Sequence, residues 1–262
     1  HRYSGHYGLG WLERPIERYL CAFHNAADCT FVPTSAQRSQ LAARGYRNLA
    51  VIGRGVDTRL YTPERRSRVL RRRWNAQDDS LVVLHVGRLA PEKNLDLAAR
   101  AFEAIRAVQP HARMVWIGDG PLRRRMERQY PHHLFLGVRV GEALAACYAS
   151  ADVFLFPSLT ETFGNVTLEA MASGLAVVAF DYGAAGEHAL DGVDAFLAPY
   201  GDEAAFVQRA LDLARFPGVR AQIRRSARAA VRALRWPVIL GEFEQQLRII
   251  TRNHATQAAL AS

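Results

Sequence analysis

Short, uninterrupted apolar runs alternate with helix-patterned segments along almost all of this 262-residue chain, and that alternation leaves few folds open. The runs fall at 30–32, 49–52, 81–86, 112–117, 134–136, 153–156, 176–180 and 195–197. Segments with helical spacing lie at 15–26, 35–44, 64–74, 95–108, 122–129, 142–150, 166–173, 203–215, 219–234 and 238–252. Leu95, Ala98, Ala99, Phe102 and Ile105, for example, recur at the 3.6-residue period of a half-buried helix. Strands that are apolar at every position belong to sheets covered on both faces. Strand–helix alternation of this kind predicts an α/β fold built on a doubly wound, parallel, Rossmann-like sheet.

The periodicity breaks at Gly53-Arg54-Gly55-Val56-Asp57 and again at Thr62-Pro63. The division predicted is residues 1–52 as the end of one Rossmann-like domain, 53–235 as a second, nearly complete one, and 236–262 as a C-terminal helix and tail. The chain opens at His1 inside a patterned segment, so the first domain is expected to be truncated.

No apolar run approaches the ~18 residues of a membrane span. The three cysteines, Cys21, Cys29 and Cys147, have neither metal-ligand spacing nor an even count, which points to a reducing, cytoplasmic compartment. Net charge is +9, and of the 34 basic residues only Lys93 is a lysine. Such wholesale use of arginine reflects compositional bias, so the surplus says little about nucleic acid. The aromatic interleaving that single-stranded nucleic acid binders use is also missing, and no nucleic-acid partner is expected. Arg220, Arg224, Arg225, Arg228, Arg232 and Arg235 recur at helical spacing. They form either a solvated face or one attracted to an anionic membrane surface or an anionic substrate.

Two loops carry chemistry. The run ending in His85-Val86 leads into Gly87-Arg88-Leu89-Ala90-Pro91-Glu92-Lys93-Asn94 and then a helix. Gly87 lets the backbone turn close to a ligand, and Arg88 and Lys93 flank a short loop. Two cations beside a helix start suit a diphosphate. The run Val153-Phe154-Leu155-Phe156 leads into Pro157-Ser158-Leu159-Thr160-Glu161-Thr162-Phe163-Gly164-Asn165 and a helix carrying Glu169. A loop and helix start at the carboxyl end of a parallel strand is where open α/β sheets bind ligands. Two carboxylates in a cleft also suit a glycosidase, but the neighbouring cations favour a phosphate-bearing substrate. Taken singly, Glu169 reads as a charge favoured by a helix N-terminus, and Phe163 as core.

Together, Gly87-Arg88…Lys93-Asn94, the pair Glu161 and Glu169 with seven residues between, and Ile117-Gly118-Asp119-Gly120-Pro121 resemble family 4 of the retaining, two-domain GT-B glycosyltransferases. The resemblance covers roughly residues 30–215. It implies catalytic roles for Arg88, Lys93 and Glu161. Glu161 would hold hydroxyls of the donor sugar, and Glu169 the ribose hydroxyls. Backbone amides of Phe163, Gly164, Asn165 and Val166 would face the sugar and β-phosphate, and Val138 and Arg139 the base. Gly87 completes the donor-binding set. It further implies transfer of a hexosyl group from a nucleotide diphosphate sugar to an acceptor hydroxyl by front-side attack, the leaving phosphate taking the acceptor proton. The sequence has no Asp-x-Asp motif, and no cofactor or metal is expected. Thr162 stands where many members have glycine. The Glu-Thr-Phe-Gly-Asn form is similar to bacterial GDP-mannose-dependent α-mannosyltransferases acting on lipids. That implies GDP-mannose as donor, a lipid or glycan acceptor, and a place on the inner face of the plasma membrane. A UDP-glucose- or UDP-galactose-dependent transferase, and a nucleotide-sugar-binding domain without catalysis, stay open as alternatives.

Overall fold

Each residue of strands β3 (Val82–Val86), β6 (Val153–Phe156) and β7 (Ala176–Phe180) is buried in the computed structural model, which describes residues 13–160 and 164–261. These strands join β4 (Arg113–Ile117), β5 (Leu134–Phe135) and β8 (Phe196–Ala198) in one six-stranded sheet of order β5-β4-β3-β6-β7-β8. All its pairings are parallel; Val83 lies opposite Val153 and Val115 opposite Leu134. Alternate side chains of β3 enter opposite layers. Val82, Leu84 and Val86 pack with Tyr148, Leu168 and Met171 on one face. Val83 packs with Phe102, Ile105 and Phe206 on the other. Both faces are therefore covered by helices, which is why these strands carry no polar alternation.

The helices that accompany this sheet are α3 (Arg68–Arg73), α4 (Leu95–Val108), α5 (Arg123–Gln129), α6 (Gly141–Ser150), α7 (Asn165–Ala172), α8 (Gly183–His188), α9 (Glu203–Arg215) and α10 (Pro217–Ala230). The expected single helix over 64–74 is two pieces. Pro63 opens a short 3-10 turn through Arg65, and the Ser67 hydroxyl then accepts the Leu70 amide at 3.2 Å to start α3 afresh. α8 lies in a segment with no apolar period. α10 starts earlier than expected, at Pro217, where proline's fixed φ suits a first turn, and tightens to 3-10 at Val231–Leu234.

The chain divides into two compact units, Gly55–Trp236, which holds this sheet, and His1–Arg54 with Pro237–Ser262. In the second unit β1 (Thr30–Val32) pairs in parallel with β2 (Leu49–Val51). Helices α1 (Glu13–Asn25), α2 (Ser35–Ala43) and α11 (Trp236–Ala261) complete it, with Phe31 packed edge-on against Phe243 at 5.1 Å.

The arginines at helical spacing divide in two. Arg220 donates to the Leu213 carbonyl at 2.5 Å and Arg224 to that of Gly174 at 2.6 Å. Arg228 donates to the carbonyls of Ala172 (2.8 Å) and Tyr61 (3.1 Å). These three hold the chain together instead of making a solvated face; only Arg225, Arg232 and Arg235 of the set are exposed. No helix among the described residues is long and apolar enough to cross a membrane.

Candidate functional site

β3 is the hinge of the sheet's winding. From it the chain builds outward through β4 and β5, then returns to lay β6, β7 and β8 on its other side. The carboxyl ends of β3 and β6 therefore flank the topological switch point, where open α/β sheets leave a crevice for ligands. The loop after β3 holds Gly87, Arg88 and Lys93. The loop after β6 runs into α7.

The β3 loop is laced to its neighbours through backbone. The Gly87 amide donates to Ile117 O at 3.0 Å and the Leu89 amide to Asp119 O at 2.9 Å. The Leu122 amide returns a bond to Leu89 O, and the Gly118 amide donates to Gly137 O, each at 2.9 Å. This explains the Gly118-Asp119-Gly120 spacing. A Cβ on Gly118 would lie 1.9 Å from the Gly87 carbonyl oxygen, and one on Gly120 2.5 Å from that of Leu89. Arg88 is exposed, and its guanidinium makes no hydrogen bond among the described residues. Lys93 ends a 3-10 turn over Pro91–Lys93, with Nζ 5.5 Å from the centroid of the Phe156 ring. Asn94, at φ 50°, then turns the chain into α4.

The two loops are joined at one atom. The Glu92 carbonyl accepts the Leu159 amide at 3.1 Å and the Ser158 hydroxyl at 3.4 Å. The loop after β8 adds a third tie, with the Tyr200 hydroxyl donating to Leu159 O at 2.7 Å. Glu161, Thr162 and Phe163 lie outside the described residues. Beyond them Gly164, at φ 94° and ψ 50°, makes the left-handed turn that starts α7. Asn165 Oδ1 is buried with no hydrogen-bond partner. The Val166 side chain packs on the core, which leaves only its backbone for a ligand.

Glu169, one turn into α7, is half-buried and accepts the Tyr148 hydroxyl at 3.1 Å on Oε2. The Tyr61 ring packs edge-on against that of Tyr148, with centroids 5.6 Å apart. Burial raises its carboxyl above the usual range, and the two phenols hold the rise down. Val138 and Arg139 are exposed in the loop after β5, at the same edge of the sheet, with Arg139 Nη1 donating to Val138 O at 3.1 Å.

Sequence reasoning missed three residues beneath this edge. Tyr61 and Tyr148 are one pair. The third is His85, wholly buried on β3, whose Nδ1–H donates to Leu155 O at 2.9 Å. Its Nε2 has no partner, and burial lowers the imidazole to about 4. A histidine inside the run Val-Val-Leu-His-Val was the available signal. Tyrosines in a core pattern offer none.

Among the described residues one group has the chemistry of a metal site, Glu103, His132 and His133. It does not fit a metal. Trp116 Nε1–H donates to His133 Nδ1 at 3.1 Å, so the neutral ring carries its proton on Nε2, the atom that faces Glu103 at 3.0 Å. Arg106 also holds Glu103, at 2.6 Å.

The doubly wound parallel sheet, with its loops laced at the switch point, has the fold of the GT-B type. The structure superposes on that of Anabaena HepE with UDP and glucose at a TM-score of 0.76 and 23% identity, covering 90% of this chain and 67% of that one. The sequence pattern described as "Glycosyl transferases group 1" matches residues 80–215, just over half of the chain, which therefore belongs to that family. It is 34% identical over 258 residues to a GDP-mannose-dependent alpha-mannosyltransferase of Mycobacterium tuberculosis, covering 98% of this chain and 66% of that protein. It is 38% identical over 183 residues to a sulfoquinovosyl transferase of Arabidopsis thaliana, covering 68% of this chain and 35% of that protein. The chain thus spans less than two thirds of either relative's length.

Proposed function

We propose that this chain forms the donor-binding part of a retaining glycosyltransferase that moves a hexose from a nucleotide diphosphate sugar to a hydroxyl of a lipid or glycan acceptor. The observation that carries the reading is the Glu92 carbonyl, which binds the loop of Arg88 and Lys93 to the loop that opens α7. On this reading Arg88, Lys93 and the α7 amides face one ligand, and the tie between their loops supports it. As the glycosidic bond breaks, negative charge gathers on the leaving diphosphate, and fixed cations stabilise it without reorganising. Glu169 takes ribose hydroxyls. Glu161, Phe163, Val138 and Arg139 keep the roles the family resemblance implies. Mannose from GDP-mannose is the favoured transfer, supported by the name of the mycobacterial relative. A UDP-hexose is the second reading, supported by the UDP and glucose in the HepE structure.

Calorimetry with GDP, UDP and ADP tests the binding claim. Affinity for at least one is expected, and Lys93→Ala should weaken it about tenfold or more, the scale of a lost charge-assisted contact. No affinity for any of the three, or an unaltered affinity in Lys93→Ala, overturns the assignment. Radiolabel transfer from GDP-mannose separates a transferase from a binding domain without catalysis.

A further inference from the structure

The sheet parts at its switch point, and one side chain spans the gap. β3 stays paired with β4 as far as Val86 and Ile117, and β6 with β7 as far as Phe156 and Ala179. Between β3 and β6, among the described residues, the pairing stops at Leu84 and Phe154. His85 is the next residue of β3. Its Nδ1–H donates at 2.9 Å to the carbonyl of Leu155, the next residue of β6. A side chain thus makes the cross-strand bond at the level where the ladder has ended. Nearer the rim, the Glu92 carbonyl accepts the Leu159 amide at 3.1 Å. The opening is therefore tied twice, at its floor and between its loops.

The imidazole makes that bond and no other. It is fully buried, with its centroid 5.1 Å from that of the Trp116 ring and 5.9 Å from that of Phe156. Its Nε2 has no hydrogen-bond partner and lies 3.6 Å from where a Cβ on Gly87 would stand. A buried acceptor left unsatisfied costs stability. Phenylalanine would fill the same aromatic stack without that cost; what the imidazole adds is the donor to Leu155. We propose that His85 is a positioning residue whose bond to Leu155 fixes the gap between β3 and β6, and with it the spacing of the Arg88–Lys93 loop and the loop that opens α7 around a nucleoside diphosphate. The inference rests on the donor-site reading of those two loops. It adds the residue that sets their separation.

Two variants separate the donor from the ring. Asparagine places an amide N–H where Nδ1–H stands, and phenylalanine keeps the ring without a donor. Calorimetry on the whole chain compares GDP with GMP, and UDP with UMP. Wild type should prefer one of the diphosphates by about tenfold or more, the scale of a charge-assisted contact. His85→Phe should bring that preference below about threefold, and His85→Asn should hold it within about threefold of wild type. A preference intact in His85→Phe, or lost equally in His85→Asn, overturns the strut. A second readout needs no nucleotide. Amide exchange followed by NMR should show the Leu159 amide exchanging severalfold faster in His85→Phe than in wild type. The Ala176 amide, bonded to Asp152 O at 3.0 Å at the far end of β6 and β7, should keep its rate. An unmoved Leu159, or equal acceleration of both amides through a general loss of stability, overturns the strut. Faster Leu159 exchange alone, with no diphosphate preference in wild type, upholds the strut and overturns the donor-site reading.

Discussion

Asp152 stands at the amino end of β6, the strand whose other end carries the 157–164 loop, and three guanidiniums converge on it. Its Oδ1 meets Arg66 at 3.0 Å and Arg224 at 3.3 Å; its Oδ2 meets Arg71 at 3.1 Å and accepts the Val82 amide at 3.0 Å. The Arg71 side chain is 2% exposed and that of Asp152 9%, whereas Arg66 and Arg224 keep 34% and 29%. Asp152→Ala leaves the Arg71 guanidinium bonded to the carbonyls of Ser150, Gln77 and Ser80 but without a counter-charge. Removing one partner of a buried pair costs about 3–5 kcal/mol. The two more exposed partners add roughly 0–1 kcal/mol each. For a unit of this size the total corresponds to a loss of about 10 °C or more in Tm. Asp152→Asn retains an acceptor for the Val82 amide and should fall at the lower end. Urea and thermal unfolding followed by circular dichroism measure both, with Arg225→Ala, on an exposed residue, as a control expected within about 0.5 kcal/mol. A cost below about 1 kcal/mol for Asp152→Ala would refute the idea that this cluster holds the sheet's lower edge. Burial pushes the Asp152 carboxyl up, but Arg66, the Val82 amide, Arg224 and Arg71 together pull it below its ordinary value. Its contribution is present above the usual carboxylate range and is lost as pH falls through the folded value.

Two further outcomes are expected. Gly118→Ala drives a Cβ into the Gly87 carbonyl and should cost about 2 kcal/mol or more in urea unfolding, with loss of nucleotide binding in calorimetry; a neutral result would show that the lacing yields easily. His85 and His133 are both lowered to about 4, chiefly by burial, so the unfolded chain takes up their protons first as pH falls from about 6.5. Stability should drop by several kcal/mol between pH 6.5 and 4.5, and a His85→Gln, His133→Gln double variant should flatten that slope. Equal wild-type stability at pH 7 and pH 5 would contradict it.

The sheet was readable because a strand buried on both faces must be apolar at every position, as β3, β6 and β7 are. The loop after β3 was readable because Gly87 and Pro91 interrupt the pattern between the apolar run and the helical period that starts at Leu95. What the sequence hid was the direction of side chains that serve two roles. Tyr148 has the pattern of a core aromatic, and only its hydroxyl reaches Glu169. Arg224 and Arg228 have the spacing of a solvated face, yet they end on backbone carbonyls, because a long apolar stem lets a guanidinium reach inward. The break between Arg65 and Arg68 was hidden for a related reason. Ser67 caps a helix by a bond to the Leu70 amide that composition does not announce.

The placement of Lys93 over Phe156 has a practical side. Lys93 carries the sole ε-amine in these 262 residues. Any reagent or modification that seeks a side-chain amine has one address, at the mouth of the crevice between β3 and β6. A single acyl group there swaps a cation for a neutral amide at the point where the proposed site takes the diphosphate. The scarcity of lysine therefore turns ordinary amine chemistry into a site-directed probe of the crevice, with no cysteine or tag to introduce.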